Sequence, residues 1–282
     1  MEETAVSRTI TYETKGLNLV TKEFRTFAKN SFGSIITREF LTVAVPILLL
    51  WEFLPRLGVV PQTLIPPPST VALTFWDLLV EHDFMGHLGS SLLRFFSGLV
   101  LGLLLAFPIG ILMGWNMFLR RHSLPLFQIL APIPPPAWVP ITIIFLGVGL
   151  PMQTFLVFLG AFYPILFNTY QAVKDTEPRY IASARVYGAS EFTLIKHVYV
   201  PAALGSVIMG IKIGIALGLV MLVIAEMYGA PNGIGWLLVE SKEFFRIDRM
   251  VVCMLTLGFM GWFLIEIMKH LELKLAFWKA GR

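Results

Sequence analysis

Charged residues are scarce in this sequence. Asp, Glu, Lys and Arg make up 14% of its 282 residues, whereas hydrophobic residues make up 56%. A soluble domain usually carries about 25% charged residues. So little charge means that much of the surface cannot face water, which excludes an ordinary soluble domain and favours a membrane protein.

Cysteine and recognisable catalytic motifs are also lacking. The single cysteine, Cys253, can form neither an internal disulfide nor a cysteine-based metal site on its own. The sequence contains no phosphate-binding G-x-x-x-x-G-K-S/T loop, no H-E-x-x-H zinc motif and no G-x-S-x-G elbow. We therefore predict that the chain is not an enzyme and holds no catalytic, cofactor-binding or metal site of its own.

What the sequence does contain is apolar stretches of about 20 residues, the length that crosses a bilayer as a helix. Six candidates follow one another along the chain: Phe40–Leu57, Leu88–Trp115, Leu124–Gly147, Met152–Ala172, Pro201–Tyr228 and Met250–Leu271. We predict an all-α polytopic membrane protein with about six transmembrane helices, in which residues 40–282 form one membrane domain.

Lysine and arginine predict the orientation, because cytoplasmic loops carry an excess of them. With both termini inside, the cytoplasmic segments hold 16 basic residues and the outer segments hold four. Residues 1–39 lack the pattern of a secretory signal and are predicted to be a cytoplasmic segment. Within it, Asn30–Glu39 fits either a helix on the inner membrane surface or an unstructured leader.

Glycine and proline predict how the spans pack. Glycines recur at multiples of four residues: Gly98, Gly102, Gly110 and Gly114 in the second stretch, and Gly210, Gly214 and Gly218 in the fifth. This spacing puts small residues on one helix face and predicts close helix contacts. The third stretch instead carries five prolines between residues 132 and 140, which must break the helix.

A broken backbone at membrane depth is tolerated only inside protein or beside a water-filled cavity. The proline-rich segment is therefore predicted to line a translocation pathway or gate, with Pro135 and Trp138 as candidate residues; a packing elbow is the alternative.

Charges within the spans add two further pathway candidates, Lys212 and Glu226. Arg94 and Glu226 stand near the ends of their spans, where we expect their side chains to extend to the membrane surface. Lys212 lies deeper, which fits either attraction of an anion or pairing with a neighbouring helix.

The segment 173–200 has the pattern of two short helices. Pro178 can open the first helix, Gly188 can end it, and Ser190 suits the N-cap of a second helix over Glu191–His197. A cytoplasmic loop built this way is suited to docking a partner; an amphipathic loop without a partner is the alternative.

This loop resembles the EAA loop of bacterial ABC importer permeases. The matching residues are Ala182–Ser183–Ala184, Gly188–Ala189–Ser190 and Val200–Pro201–Ala202–Ala203. Ala182 stands where the family has its glutamate and Ser183 where it has its first alanine, so a contact made by that glutamate is not carried over.

Further stretches resemble the nitrate/sulfonate/taurine subfamily of these permeases, and the similarity runs from about residue 45 to the C-terminus. They are Pro66–Ser69, Pro132–Pro140, Phe145–Gly149, Ala225–Met227 and Gly233–Trp236.

The resemblance implies a fold like that of type I ABC importer permeases, with a coupling-helix loop over about 173–200. It implies a complex in a bacterial inner membrane: two permease copies, two nucleotide-binding ATPase subunits that bind ATP and Mg, and an extracytoplasmic solute-binding protein, without nucleic acid. By position, the coupling residues are Ala184, Gly188, Ala189 and Ser190. The implied solute is a small anion such as taurine or another alkanesulfonate, nitrate or bicarbonate, although some related permeases serve uncharged heterocycles or aromatic acids.

Two other classes of membrane protein fit less well. A secondary transporter or channel accounts for the broken third span and Lys212, but not for the patterned loop, and no inverted repeat is evident. A membrane-embedded enzyme should show clustered His, Asp, Glu or Ser near one membrane face, and the sequence shows no such cluster.

Overall fold

The computed structural model describes residues 38–275, and all the regular secondary structure in that range is helical. The helices are α1 (Arg38–Arg56), α2 (Pro68–Glu81), α3 (Phe84–Trp115), α4 (Met117–Leu130), α5 (Pro135–Leu146), α6 (Leu150–Lys174), α7 (Pro178–Val186), α8 (Glu191–Leu194), α9 (Val200–Gly229), α10 (Ile234–Glu243) and α11 (Ile247–Leu275). A π-helical turn, Ile195–Tyr199, joins α8 to α9. The surface helix suggested for Asn30–Glu39 lies almost wholly outside the described residues.

The chain divides into two compact units after Gln62. The first unit contains α1, whose bounds nearly match those of the predicted first span, Phe40–Leu57. Within α1, Glu52 and Arg56 form an ion pair of 2.6 Å one helical turn apart. The second unit contains α2 to α11. The boundary suggested at residue 39 between a terminal segment and a membrane domain stays a prediction.

Four helical stretches are long and apolar enough to cross a membrane. They are Phe84–Trp115, Leu150–Lys174, Glu191–Gly229 and Ile247–Glu272. They coincide with the predicted second, fourth, fifth and sixth spans, so those four are confirmed by length and composition.

Proline divides the predicted third span into two helices. α4 ends at Leu130, and α5 begins only at Pro135. Between them the chain turns, with the N–H of Ile133 donating to the Leu130 carbonyl at 3.2 Å. The predicted break is therefore confirmed, because the four prolines between residues 132 and 136 supply no N–H for a continuous helix. The fifth, Pro140, lies within α5.

The centre of the second unit is α6, which packs along α3 on one side and α9 on the other. The predicted glycines of α3 form a glycine seam against α6: Gly98 faces Val157, Gly102 faces Ala161, Gly110 faces Thr169, and Gly114 faces Val173. A Cβ on Gly98 or Gly114 would lie only 2.5 Å from the Cβ of the facing valine. The two backbones therefore approach more closely than any larger side chain permits.

The glycines of α9 approach α6 from the other side, and the two helices run antiparallel. A Cβ on Gly210 would lie 3.0 Å from the Pro164 carbonyl oxygen, and one on Gly214 would lie 3.3 Å from the Cα of Ala161. The predicted role of both glycine series in close helix packing is confirmed.

Arg94 and Glu226 form the centre of a buried polar network that joins α3, α9 and α10. Glu226 is fully buried, and its Oε1 accepts hydrogen bonds from Arg94 Nη1 at 2.8 Å and from Ser91 Oγ at 2.7 Å. Its Oε2 accepts from the backbone N–H of Gly235 at 2.8 Å. Arg94 also donates to the Asn232 carbonyl at 2.9 Å.

The expectation that Arg94 and Glu226 extend to the membrane surface is therefore wrong. Both side chains turn inward, because each one supplies the opposite charge and the hydrogen bonds that make burial of the other tolerable.

The same network caps the start of α10. The N–H of Gly233 donates to His87 Nδ1 at 3.0 Å, and the N–H of Ile234 donates to Ser91 Oγ at 2.9 Å. Gly233 has a φ of +121°, and a Cβ there would lie 2.5 Å from Glu226 Cδ. Both the backbone conformation and the nearby carboxylate therefore require glycine at this position.

Replacing Gly98 with alanine is expected to destabilise the protein by about 1–3 kcal/mol, because the added methyl group overpacks the seam against Val157. Gly89→Ala, in the same helix with nothing within 4 Å, is the matched control. It is expected to be neutral or to stabilise by up to about 1 kcal/mol. Thermal unfolding in detergent measures both effects. Equal effects of the two substitutions would contradict close packing of α3 against α6 along the glycine seam.

Replacing Arg94 with alanine leaves the Glu226 carboxylate buried without its cation. Breaking a buried pair from one side is expected to cost about 3–5 kcal/mol of unfolding free energy. Lys242→Ala, which removes an exposed cation from α10, is expected to change it by less than about 0.5 kcal/mol. The same unfolding experiment compares the two variants. A small loss of unfolding free energy in Arg94→Ala would mean that the network does not stabilise the fold.

Candidate functional site

A cleft of about 450 Å³ opens where the backbone breaks between α4 and α5, and we call it the proline cleft. The turn of residues 131–134 and Trp138 of α5 form one wall. The other walls are formed by α6, which includes Tyr163, Phe167 and Asn168, and by α9, which includes Ile213, Leu217 and Met221. The broken segment thus borders a cavity, as expected of irregular backbone in a membrane protein.

The proline cleft is apolar and aromatic. Among its described lining residues none is charged, and the polar side chains are those of Tyr163 and Asn168. Asn168 Nδ2 donates to the Pro164 carbonyl one turn earlier in α6 at 2.8 Å, so the side-chain amide is held against its own helix. Trp138 lines the cleft, and Pro135 begins α5 immediately after the lining turn.

Lys212 and Glu226 do not line the proline cleft in this conformation. Lys212 Nζ lies 2.5 Å from Glu272 Oε2 of α11, so the neighbouring-helix partner considered for it is present. Glu226 is enclosed by the Arg94 network. Both charges are compensated within the protein, and their role in a pathway stays a prediction.

Residues 178–194, which we call the docking loop, have the local structure that the sequence predicts. α7 begins at Pro178 and ends at Val186, and Gly188 follows in a left-handed conformation with φ +78°. Ser190 caps α8, because its Oγ accepts a hydrogen bond from the N–H of Thr193 at 3.3 Å. The predicted helix start, helix end and N-cap are all confirmed.

The docking loop is continuous with a membrane-crossing helix. α8, the π-helical turn and α9 form one helical stretch, Glu191–Gly229. The wider turn ends two residues before Pro201, whose missing N–H already prevents a regular bond to the residue four positions earlier. No loop therefore separates α8 from α9.

The four predicted coupling residues divide into two pairs. Ala184 and Ala189 are half-buried and pack toward a core cluster that includes Leu194 and Tyr199. Gly188 and Ser190 are exposed.

Three apolar residues of the docking loop are largely exposed, and the sequence analysis assigned none of them a role in docking. Tyr187 is 92% exposed, Val186 85% and Phe192 74%. Tyr187 follows the end of α7, and its side chain points away from the core that Ala184 contacts. In the sequence, the available signal was a tyrosine directly before the helix-ending Gly188.

Comparison with known proteins identifies the family. Residues 98–274 match the family model described as binding-protein-dependent transport system inner membrane component. The putative aliphatic sulfonates transport permease protein SsuC of Bacillus subtilis is 29% identical over 85% of this chain and 87% of its own length. The taurine transport system permease protein TauC of Escherichia coli is 28% identical over 86% and 90%. The nitrate import permease protein NrtB of Leptolyngbya laminosa is 27% identical over 69% and 73%.

The fold is similar to that of a solved transporter. A chain of the methionine ABC transporter MetNI, in an inward-facing conformation, aligns with a TM-score of 0.62 and 18% identity, over 70% of this chain and 99% of its own. With a family model that matches more than half of its length, this chain belongs to the binding-protein-dependent transport system inner membrane components, and it is the non-catalytic permease subunit of an ABC importer.

Proposed function

We propose that this permease conducts a small anion, such as taurine or another alkanesulfonate, nitrate or bicarbonate, which a binding protein delivers from outside the cell. The names of its relatives support this class of solute, because they include permeases for aliphatic sulfonates, taurine and nitrate. Energy comes from a separate ATPase subunit that binds ATP and Mg. The assembly contains two permease copies, two ATPase subunits and one binding protein.

In this proposal the chain crosses the bacterial inner membrane six times, and both termini are cytoplasmic. Four spans are the long apolar helices, and α1 and the α4–α5 pair supply the other two. The excess of basic residues in the segments that would face the cytoplasm supports this orientation. The docking loop then lies on the cytoplasmic side, where an ATPase can reach it.

The single observation that carries the mechanism is the exposed apolar tip of the docking loop, Val186 and Tyr187, on a segment continuous with α9. A large exposed aromatic side chain beside a fixed glycine turn suits insertion into a groove of the ATPase. Gly188 and Ser190 shape this turn, and Ala184 and Ala189 pack it against the membrane unit. Since Ala182 replaces the family's glutamate, apolar contact carries more of the docking here.

Closure of the ATPase dimer on ATP would then move the docking loop and, through α9, one wall of the proline cleft. Such a rigid-body shift is a common form of alternating access. The cleft is the proposed pathway, with Trp138 and the segment beginning at Pro135 on one side. Its aromatic wall suits the carbon skeleton of an organic anion.

Replacing Tyr187 with alanine is expected to weaken the association of permease and ATPase by about 10-fold or more, since buried aromatic anchors often contribute 2 kcal/mol or more. Gly188→Leu is expected to do the same by straining the positive-φ turn. Co-purification on a tagged permease, with an ATPase assay of the complex, measures both effects. Tyr228→Ala, an exposed tyrosine at the far end of α9, is the matched control, and normal transport by Gly188→Leu would refute the docking role.

Replacing Trp138 with alanine is expected to change the KM or rate of import of an alkanesulfonate by more than about threefold, because it removes one wall of the proline cleft. Phe145→Ala, on the same helix with its side chain 81% exposed, should leave import unchanged. Uptake of radiolabelled taurine into liposomes containing the whole complex measures both variants. Equal behaviour of the two variants would place the pathway elsewhere.

A further inference from the structure

The carboxylate of Glu191 joins three elements of the chain. Its Oε1 accepts a hydrogen bond from Arg185 Nη2 at 2.9 Å, and its Oε2 accepts one from Trp115 Nε1 at 3.0 Å. Arg185 belongs to α7, Glu191 begins α8, and Trp115 is the last residue of α3. The docking loop is thus tied by side chains to a helix that is distant in sequence.

Trp115 lies at the junction of α3 and α4, and α4 runs on to the turn that lines the proline cleft. The next residue, Asn116, caps α4, because its side chain accepts hydrogen bonds from the N–H groups of Phe118 at 2.8 Å and Leu119 at 3.3 Å. α4 then runs to Leu130, and the turn that lines the cleft follows directly. A displacement at Trp115 therefore reaches one wall of the cleft through a single capped helix.

The opposite wall is connected to the same point by the backbone. The continuous stretch Glu191–Gly229 includes the α9 residues that line the cleft, such as Ile213 and Leu217. Glu191 is consequently the position where the backbone route to one wall and the side-chain route to the other wall meet.

We propose that Glu191 is a positioning residue for coupling, which makes the two walls of the proline cleft move together when the ATPase moves the docking loop. Through Trp115 it carries the movement of the loop to α4 and the turn 131–134, while α9 follows through the backbone. This inference rests on the proposed docking of the ATPase at the loop. It assigns a role to a residue outside the EAA-like positions.

The exposure of these groups determines where an effect should be seen. Glu191 is 51% exposed and Arg185 is 59% exposed, and exposed ion pairs contribute little to folding stability. A docked ATPase would exclude water from the pair and strengthen it, because the local dielectric falls. Removing the carboxylate should therefore alter coupling and leave thermal stability unchanged.

The first test measures ATP hydrolysed per solute imported, in liposomes containing permease, ATPase and binding protein, with radiolabelled taurine as the probe. Glu191→Gln and Trp115→Phe are each expected to raise this ratio roughly two- to fivefold, as loss of a weak pair predicts. The double variant should be no worse than the stronger single one, since both remove one interaction. The unfolding temperature and the amount of co-purified ATPase should stay at the wild-type level.

Glu177→Gln is the matched control. Glu177 is also an exposed carboxylate of this region, but it pairs with Arg179 only two residues away and joins no second element. Its ratio of ATP to solute should equal that of the wild type. A wild-type ratio in Glu191→Gln as well would overturn the proposal.

The second test needs no transported solute. Spin labels on Phe118→Cys of α4 and on Lys196→Cys, in the π-helical turn that follows α8, report the distance between α4 and the helical stretch that contains Glu191. The native Cys253 is buried. In the assembled complex the distance should stay fixed on addition of ATP and vanadate, whereas with Glu191→Gln it should change or broaden. Identical behaviour in both proteins would overturn the positioning role. Failure of the wild-type chain to bind an ATPase would instead defeat the proposed docking.

Discussion

Between α3 and α6 the backbones come so close that a single methyl group on Gly98 would collide with Val157. α9 approaches α6 from the opposite side in the same manner. Without water to drive helix association in a bilayer, this close van der Waals contact is a main source of cohesion. It fixes α6 at the centre, and every other element of the second unit is placed relative to these three helices.

The buried network depends on that arrangement. Arg94 comes from α3 and Glu226 from α9, and the two reach each other only because both helices pack against α6. A carboxylate and a guanidinium in this setting are costly unless all their partners are present. Here the N–H of Gly235 in α10 donates to Glu226, and the Asn232 carbonyl just before α10 accepts from Arg94. Because the start of α10 bonds to this network, the packing of α3 and α9 against α6 also fixes the position of α10.

The proline cleft and the docking loop both involve α9. α6 and α9 leave a cleft where the proline-rich turn prevents α4 and α5 from packing as one continuous helix. α9 also continues without interruption into the docking loop, so loop and cleft share one helical stretch. In the proposed mechanism, a movement at the docking loop is converted into a change of shape at the cleft, which requires no catalytic group.

The sequence by itself determined the local features: the helix break in the proline-rich segment, the glycine faces, and the start, end and cap of the docking-loop helices. Each follows from backbone chemistry within a few residues, where a missing N–H, a missing Cβ or a capping hydroxyl acts on its immediate neighbours. Only the tertiary structure decided that Glu226 pairs with Arg94 inside the protein, that Lys212 meets Glu272, and that Glu191 contacts Trp115. These partners lie 60 to 132 residues apart in sequence, and a charge in a span is compatible with a surface, a pathway or a buried pair until the packing of the helices selects one.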